Sequence, residues 1–216
     1  MRKAVTASAA CLSALALTTG MAQAAVNDPP PPGKITLEVL TVNGSGCRAG
    51  TAAVAPAADN TAFTVTYSDY LAQAGGKSKP TDMRKNCQLS LGVHIPQGFT
   101  YAIASADYRG YANLADGASG LERASYYHQG QSQTAAVSHT IKGKYEDNWQ
   151  FTDSTPVGAL VWKPCGEDRN FNINTELRVD KGTSDPDETS FLSFDSADGG
   201  VKTIYHFAWK KCPARH

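Results

Sequence analysis

A two-residue period of apolar side chains is the feature that most constrains the fold of this chain. Apolar and polar residues alternate in five segments: 35–39, 63–67, 89–95, 171–179 and 203–209. Successive side chains of a β-strand point to opposite faces of its sheet, so each segment predicts a strand with one buried face. Six less regular segments also predict strands: 100–108, 124–129, 135–141, 149–153, 159–162 and 191–194.

Helical periodicity does not extend over ten residues anywhere in the chain. The best short helix candidate is 68–74, which ends at Gly75-Gly76. Turn-forming pairs such as Asn43-Gly44 and Lys181-Gly182 separate the predicted strands. Many short strands with regular turns predict an all-β, single-domain antiparallel β-sandwich of jelly-roll-like form.

The N-terminus has the order of a secretory signal peptide. Met1-Arg2-Lys3 is basic, residues 4–17 are mostly apolar, and Ala22-Gln23-Ala24 is a small-x-small cleavage site. The apolar run is shorter than the roughly 20 residues that a membrane span needs. We therefore predict a signal peptide over 1–24, a proline-rich solvated spacer over 25–33, a β-sandwich domain over 34–216, and a secreted, extracellular protein without a membrane span.

Four cysteines remain after cleavage, and an even number in an exported chain predicts two disulfides. They are Cys47, Cys87, Cys165 and Cys212. Three pairings are possible from sequence, and we favour the near-neighbour pairs Cys47–Cys87 and Cys165–Cys212. A zinc site needs ligands at short spacing, whereas these cysteines lie about forty or more residues apart, so no metal is predicted.

Charge argues against nucleic acid or an anionic membrane as a partner. Loss of Arg2 and Lys3 with the signal leaves 18 basic residues against 20 acidic ones, a net charge of −2. The two signs are interspersed, and no basic stripe is present.

Catalytic and cofactor motifs are absent from the sequence. It holds no nucleophile elbow, no complete phosphate loop and no His-Glu-x-x-His pair, so no catalytic residue or cofactor is predicted. The acidic stretch Asp195–Gly199 predicts a hairpin turn rather than a calcium site. The histidines His94, His128, His139 and His206 are predicted to be solvated.

One polar strand face stands out, because asparagine is a poor strand residue. Asn170, Asn172 and Asn174 share one face, and Glu176 continues it. The face could bind a sugar or a peptide through its amides, with aromatic stacking from Tyr126, Tyr127 or Trp149. The alternative, which we favour, is a solvent-facing strand whose amides bond to neighbouring loops, since exposed strand faces are commonly polar.

Four strings in order resemble a family of secreted bacterial and fungal proteins known as domain of unknown function 4360. They are Asn43-Gly44-Ser45-Gly46-Cys47, Phe63-Thr64-Val65-Thr66-Tyr67-Ser68-Asp69-Tyr70, Lys85-Asn86-Cys87-Gln88-Leu89 and Arg169-Asn170-Phe171-Asn172-Ile173-Asn174. The resemblance runs from about Lys34 to Cys212. It implies secretion, one β-rich domain and cysteines at these positions, and it implies no activity.

Three functions follow as hypotheses. The first is a non-enzymatic extracellular binding or surface protein whose partner is a glycan or another envelope component. The second is a secreted hydrolase such as a glycoside hydrolase, which would need two carboxylates flanking a cleft. The third is a protease inhibitor, for which residues 75–80 would form the exposed loop.

Overall fold

A computed structural model describes residues 27–134, 136–194 and 202–213. The predicted signal peptide and the acidic turn Asp195–Gly199 lie outside the described residues. Within the described ranges, no helix has the length and apolarity needed to cross a membrane.

The described chain is built almost entirely from strands. They are β1 Thr36–Asn43, β2 Ala52–Pro56, β3 Ala62–Tyr67, β4 Leu71–Ala74, β5 Arg84–His94, β6 Phe99–Leu114, β7 Ser119–His128, β8 Val137–Lys142, β9 Tyr145–Ser154, β10 Phe171–Asp180, β11 Ser190–Ser193 and β12 Thr203–Lys211. Single 3₁₀ turns at Pro80–Asp82 and Val157–Ala159 are the helical elements of these ranges.

The strands form two antiparallel sheets. A five-stranded sheet has the order β1-β5-β10-β7-β8, and a seven-stranded sheet has the order β2-β3-β12-β6-β11-β4, with β9 also paired to β6. Every strand pair is antiparallel, which confirms the predicted all-β sandwich. The central strand of the five-stranded sheet is β10, the strand that carries the asparagines.

The core lies between the inner faces of the sheets and is rich in aromatic rings. Phe63 on β3 stacks on Tyr205 of β12 with ring centroids 5.0 Å apart, and its ring meets Phe171 of β10 edge-on at 6.1 Å. All three side chains are buried. Contacts across the sandwich of this kind add about 0.5–1.5 kcal/mol each to the apolar burial.

Both predicted disulfides form in the predicted pairing. Cys47 bonds to Cys87 and Cys165 bonds to Cys212, at sequence separations of 40 and 47. The first joins the chain after β1 to β5, and the second joins the loop before β10 to the chain after β12.

Two local predictions are wrong. Residues 71–74 form β4 and not a helix, because Ala72 and Ala74 are buried and the backbone pairs with β11. Residues 159–162 form no strand. They begin with the last residue of a 3₁₀ turn and lie between Pro156 and Pro164, which lack the N–H donors that a sheet ladder requires.

The proline-rich segment packs against the domain rather than lying in solvent. Pro31 is buried, and Asn60 Nδ2 donates hydrogen bonds to the carbonyls of Pro31 at 2.9 Å and Gly33 at 2.7 Å. The backbone N–H of Asp28 donates to the carbonyl of Trp209 on β12 at 2.9 Å. These contacts fasten the segment to the seven-stranded sheet.

Candidate functional site

The predicted asparagine face is the outward face of the five-stranded sheet. Phe171, Ile173 and Thr175 point into the core, so Asn172, Asn174 and Glu176 point away from it. Asn170 lies just before β10, and its carbonyl accepts a hydrogen bond from the N–H of Gln129.

Strand register places uncharged polar residues beside the asparagines in two rows that cross four strands. One row is Thr41, Ser90, Asn172 and Tyr127, and the next is Asn43, Gln88, Asn174 and Ser125. We call these eight residues the amide face. Strands lie about 4.8 Å apart and alternate residues about 7 Å apart, so the two rows span about 14 Å by about 7 Å.

The side chains of the amide face form no hydrogen bond with any other group in the described ranges. Asn172 is 8% exposed and Ser125 is buried, whereas Gln88 and Asn43 are exposed. The favoured alternative, with the asparagine amides bonded to neighbouring loops, is therefore not observed. Their donors and acceptors are available to a molecule that lies on the sheet.

The predicted aromatic residues divide between the two faces of the sheet. Tyr127 is opposite Asn172 on the outward face and is partly exposed. Tyr126 is on the inward face, with its ring 5.8 Å from that of Phe171 and its hydroxyl 2.8 Å from Thr155 Oγ1. Trp149 is buried on β9. Only Tyr127 of these three shares a face with the asparagines.

Beyond the amide face, the same surface becomes charged. Glu176 Oε2 accepts a hydrogen bond from Arg84 Nε at 2.9 Å, and its Oε1 accepts one from Arg178 Nη2 at 2.9 Å. Partial burial acts to raise the pKa of Glu176, but the bonds and charges of the two arginines bring it below its ordinary value. Arg123 on β7 is exposed and lies opposite Glu176 in register. We call Arg84, Arg123 and Arg178 the arginine cluster.

A buried carboxyl group in the sandwich interior was not predicted from the sequence. Glu122 is on the inward face of β7, is 1% exposed, and neither of its oxygens has a hydrogen-bond partner in the described residues. Burial, with a smaller contribution from the charge of Asp153, raises its pKa to about 9. Glu122 is therefore neutral at pH 7.

Tyrosine hydroxyls share the same interior. Those of Tyr67, Tyr108 and Tyr205 are buried, and those of Tyr108 and Tyr205 have no partner among the described residues. The charge of Glu122 contributes to the raised pKa of each of the three. Burial is the larger cause in all three. The centre of the sandwich thus holds a carboxyl and several phenols rather than only hydrocarbon.

His139 joins the two sheets at one edge. Its Nε2 is 2.7 Å from Asp153 Oδ1, and its ring stacks on Phe151 with centroids 4.3 Å apart. His139 is on β8 and opposite Glu122, whereas Asp153 and Phe151 are on β9. The charge of Asp153 acts on Glu122, but Glu122 is 1% exposed and is therefore inaccessible to a polysaccharide.

The prediction of solvated histidines holds for His94, which is exposed beside Glu38, and is wrong for His128. His128 is 1% exposed, with its ring 5.1 Å from that of Tyr101 and 5.4 Å from that of Phe171. Burial lowers its pKa to about 4. It occupies an inward position of β7, two residues after Tyr126.

A metal site and the loop at residues 75–80 are the remaining candidate features of the sequence. Among the residues described, no three His, Cys, Asp or Glu side chains are grouped so that they could hold a metal ion. The loop 75–80 is braced by hydrogen bonds from Gly76 N to Pro186 O and from Ser78 Oγ to Gly75 O.

Comparison with known proteins gives a family without an assigned activity. A family model described as a domain of unknown function (DUF4360) matches residues 33–212. A protein of Arthroderma benhamiae, described as an uncharacterized secreted protein, is 36% identical over 183 residues, which cover 85% of this chain and 74% of that protein.

A structural likeness was also found to the enzymatically active domain of bacteriophage CBA120 tailspike protein 4. The alignment covers 83% of this chain and 19% of that chain, with 11% identity and a TM-score of 0.28. A likeness this weak carries no argument about fold or function.

Proposed function

This chain belongs to the secreted family described as domain of unknown function DUF4360, and from that premise we propose that it binds a glycan outside the cell through its amide face. One observation carries the proposal: eight uncharged polar side chains lie in register on an outward sheet face without hydrogen bonds to the rest of the described chain.

A glycan suits this surface by its chemistry. Sugar hydroxyls donate and accept hydrogen bonds, as do the amides of Gln88 and Asn174 and the hydroxyl of Ser125. Tyr127 offers a ring beside these groups for contact with the apolar face of a sugar. A flat, partly open surface about 14 Å wide suits an extended polymer better than a small molecule, which usually occupies a concave pocket.

The secreted hydrolase is the competing hypothesis, and Glu122 with Asp153 is the carboxylate pair that could serve it. Glycoside hydrolysis requires both carboxyl groups to contact the sugar. Glu122 is 1% exposed, so a sugar cannot contact its carboxyl group. The geometry therefore favours binding without hydrolysis.

A glycan array probed with the mature protein tests the proposal. We expect binding to one class of polysaccharide, and we expect Gln88→Ala with Asn174→Ala to weaken that binding about tenfold, because two hydrogen bonds are lost. Affinity is then measured by titration calorimetry.

The control removes the same two kinds of side chain from the other sheet. Asn148→Ala with Gln150→Ala changes exposed residues on β9, so binding should not change. Equal loss in both double variants, or no binding to any glycan, would contradict the proposal. Release of reducing sugar that is abolished by Glu122→Gln would move the hydrolase hypothesis ahead.

A further inference from the structure

The arginine cluster presents guanidinium groups to solvent while its acidic partner is covered. The side chains of Arg84 and Arg178 are 52% and 49% exposed, whereas that of Glu176, which both arginines bind, is 13% exposed. A ligand that lies on the sheet would therefore contact the arginines before the carboxylate.

Charge in this part of the face is unbalanced. Arg84, Arg123 and Arg178 face one carboxylate, Glu176, and Arg123 has no ion-pair partner among the described residues. The next row holds Asp180 and Lys142, which add no net charge. Glu38 lies at the opposite end of the face beside His94. The face therefore has a local excess of positive charge at one end only, although the mature chain is slightly acidic.

The arginines also keep unused hydrogen-bond donors in a fixed arrangement. Arg84 uses Nε and Nη2 for Glu176, and Arg178 uses Nη2, so other N–H groups of each guanidinium remain free for an anion. Guanidinium groups bind carboxylate and sulfate oxygens with paired hydrogen bonds. Because Glu176 already holds both side chains, less conformational entropy is lost when an anion binds.

Arg178 and Asn174 are on the same face of β10, about 14 Å apart along the strand. An extended polymer that lies along β10 would cover the amide face and then the arginine cluster. We propose that the glycan is an acidic polysaccharide whose carboxylate or sulfate groups bind the arginine cluster; this inference rests on the proposed function.

The test compares polymers of similar length and different charge on the mature protein. The probes are polygalacturonate, dextran sulfate and neutral dextran, titrated from about 0.05 to about 0.5 M salt. We expect an anionic polymer to bind more tightly than dextran, and we expect its affinity to fall with salt. Preference for the carboxylated or the sulfated polymer identifies the anion.

Arg123→Gln is the decisive variant, because Arg123 is exposed and its loss removes no ion pair within the described chain. It should weaken binding of the preferred anionic polymer about tenfold, the effect of one charge-assisted hydrogen bond. Arg109→Gln is the matched control, since it removes the same charge from an exposed position of β6 in the other sheet. It should leave binding unchanged.

Two results would overturn the inference, and they differ from failure of the proposed function. Equal affinity for neutral and anionic polymers, with loss in the amide-face variant, would remove the anion subsite and leave the amide face as the glycan site. Equal weakening by Arg123→Gln and Arg109→Gln would show that binding depends on the net charge of the protein and not on the arginine cluster. No binding to any polymer would reject the glycan-binding proposal itself.

Discussion

At the scale of single residues, Glu122 is the side chain least suited to its surroundings. A carboxyl group without a hydrogen-bond partner is costly to bury, and it is far costlier to bury as an anion. The protein holds Glu122 as the neutral acid, with its pKa raised to about 9 from the ordinary 4.5. Stability should therefore depend on pH through this residue.

The direction of that dependence follows from proton binding. Between pH 4.5 and about 9 the native protein keeps the Glu122 proton, whereas the unfolded chain releases it. The contribution of Glu122 to the free energy of unfolding is therefore complete below pH 4.5 and is lost as pH rises through about 9. We expect Glu122→Gln, which has no proton to lose, to flatten this decline.

Urea unfolding of both proteins between about pH 7 and about pH 9 checks the prediction, since the slope with pH is the measured quantity. His128 does not contribute to the slope in this range. Its pKa in the folded protein is about 4, so it lowers the free energy of unfolding only at pH values below the ordinary histidine pKa of 6.5. Parallel slopes for the wild type and Glu122→Gln would show that Glu122 does not titrate in this way.

The sequence could identify the asparagines but not Glu122, and the reason lies in the neighbouring residues. Asn172 and Asn174 alternate with large apolar residues on β10, so the sequence pattern predicted that they point outward. Glu122 shares the inward face of β7 with Gly120 and Ala124. Small residues at inward positions do not differ enough in hydrophobicity from the outward ones to show which face is buried. Whether a carboxyl group lies in the core also depends on how the opposite sheet packs over it.

At the scale of elements, short segments depend on tertiary contacts more than on their own pattern. Four residues of β4 are too few to show a period of two, and pairing with β11 defines the strand. The long alternating strands β5, β10 and β12 were predicted because their pattern repeats several times. The composition of the proline-rich segment does not show that Asn60 binds its backbone, so the packing of this segment was not predicted.

Substitution of Asn60 tests how the proline-rich segment is held against the domain. Its φ of 59° lies in the left-handed region, which asparagine tolerates, and its side chain bonds to Pro31 and Gly33. We expect Asn60→Ala to lower the free energy of unfolding by about 2–3 kcal/mol, since it loses two hydrogen bonds and strains the backbone. Urea unfolding measures the loss.

Asn60→Gly separates the two effects, because glycine adopts this φ without strain. It should cost less than Asn60→Ala, while both variants should expose residues 28–33 to limited proteolysis. If neither variant is cleaved faster than the wild type in this segment, the two side-chain hydrogen bonds do not hold it in place.

At the scale of the whole molecule, two sheets, two disulfides and a fastened N-terminal segment form one secreted domain. Predicted cleavage after Ala24 would leave only three residues before Asp28, the first of the described residues that bonds to β12. Intact-mass measurement of the protein from culture medium should give a chain that begins at Ala25. A secreted chain that retains Met1 would contradict the prediction.

The bonds between Asp28 and β12 bring the two ends of the described chain together. Asp28 N donates to Trp209 O, and its carboxylate accepts a bond from Lys211 N at 2.7 Å. A short linker could join these ends, and new ends could open in the turn between β6 and β7, at the end of β6 opposite to the one that pairs with Lys211. The sandwich is thus suited to circular permutation, which would place the new termini away from the original pair without changing the order of strands within either sheet.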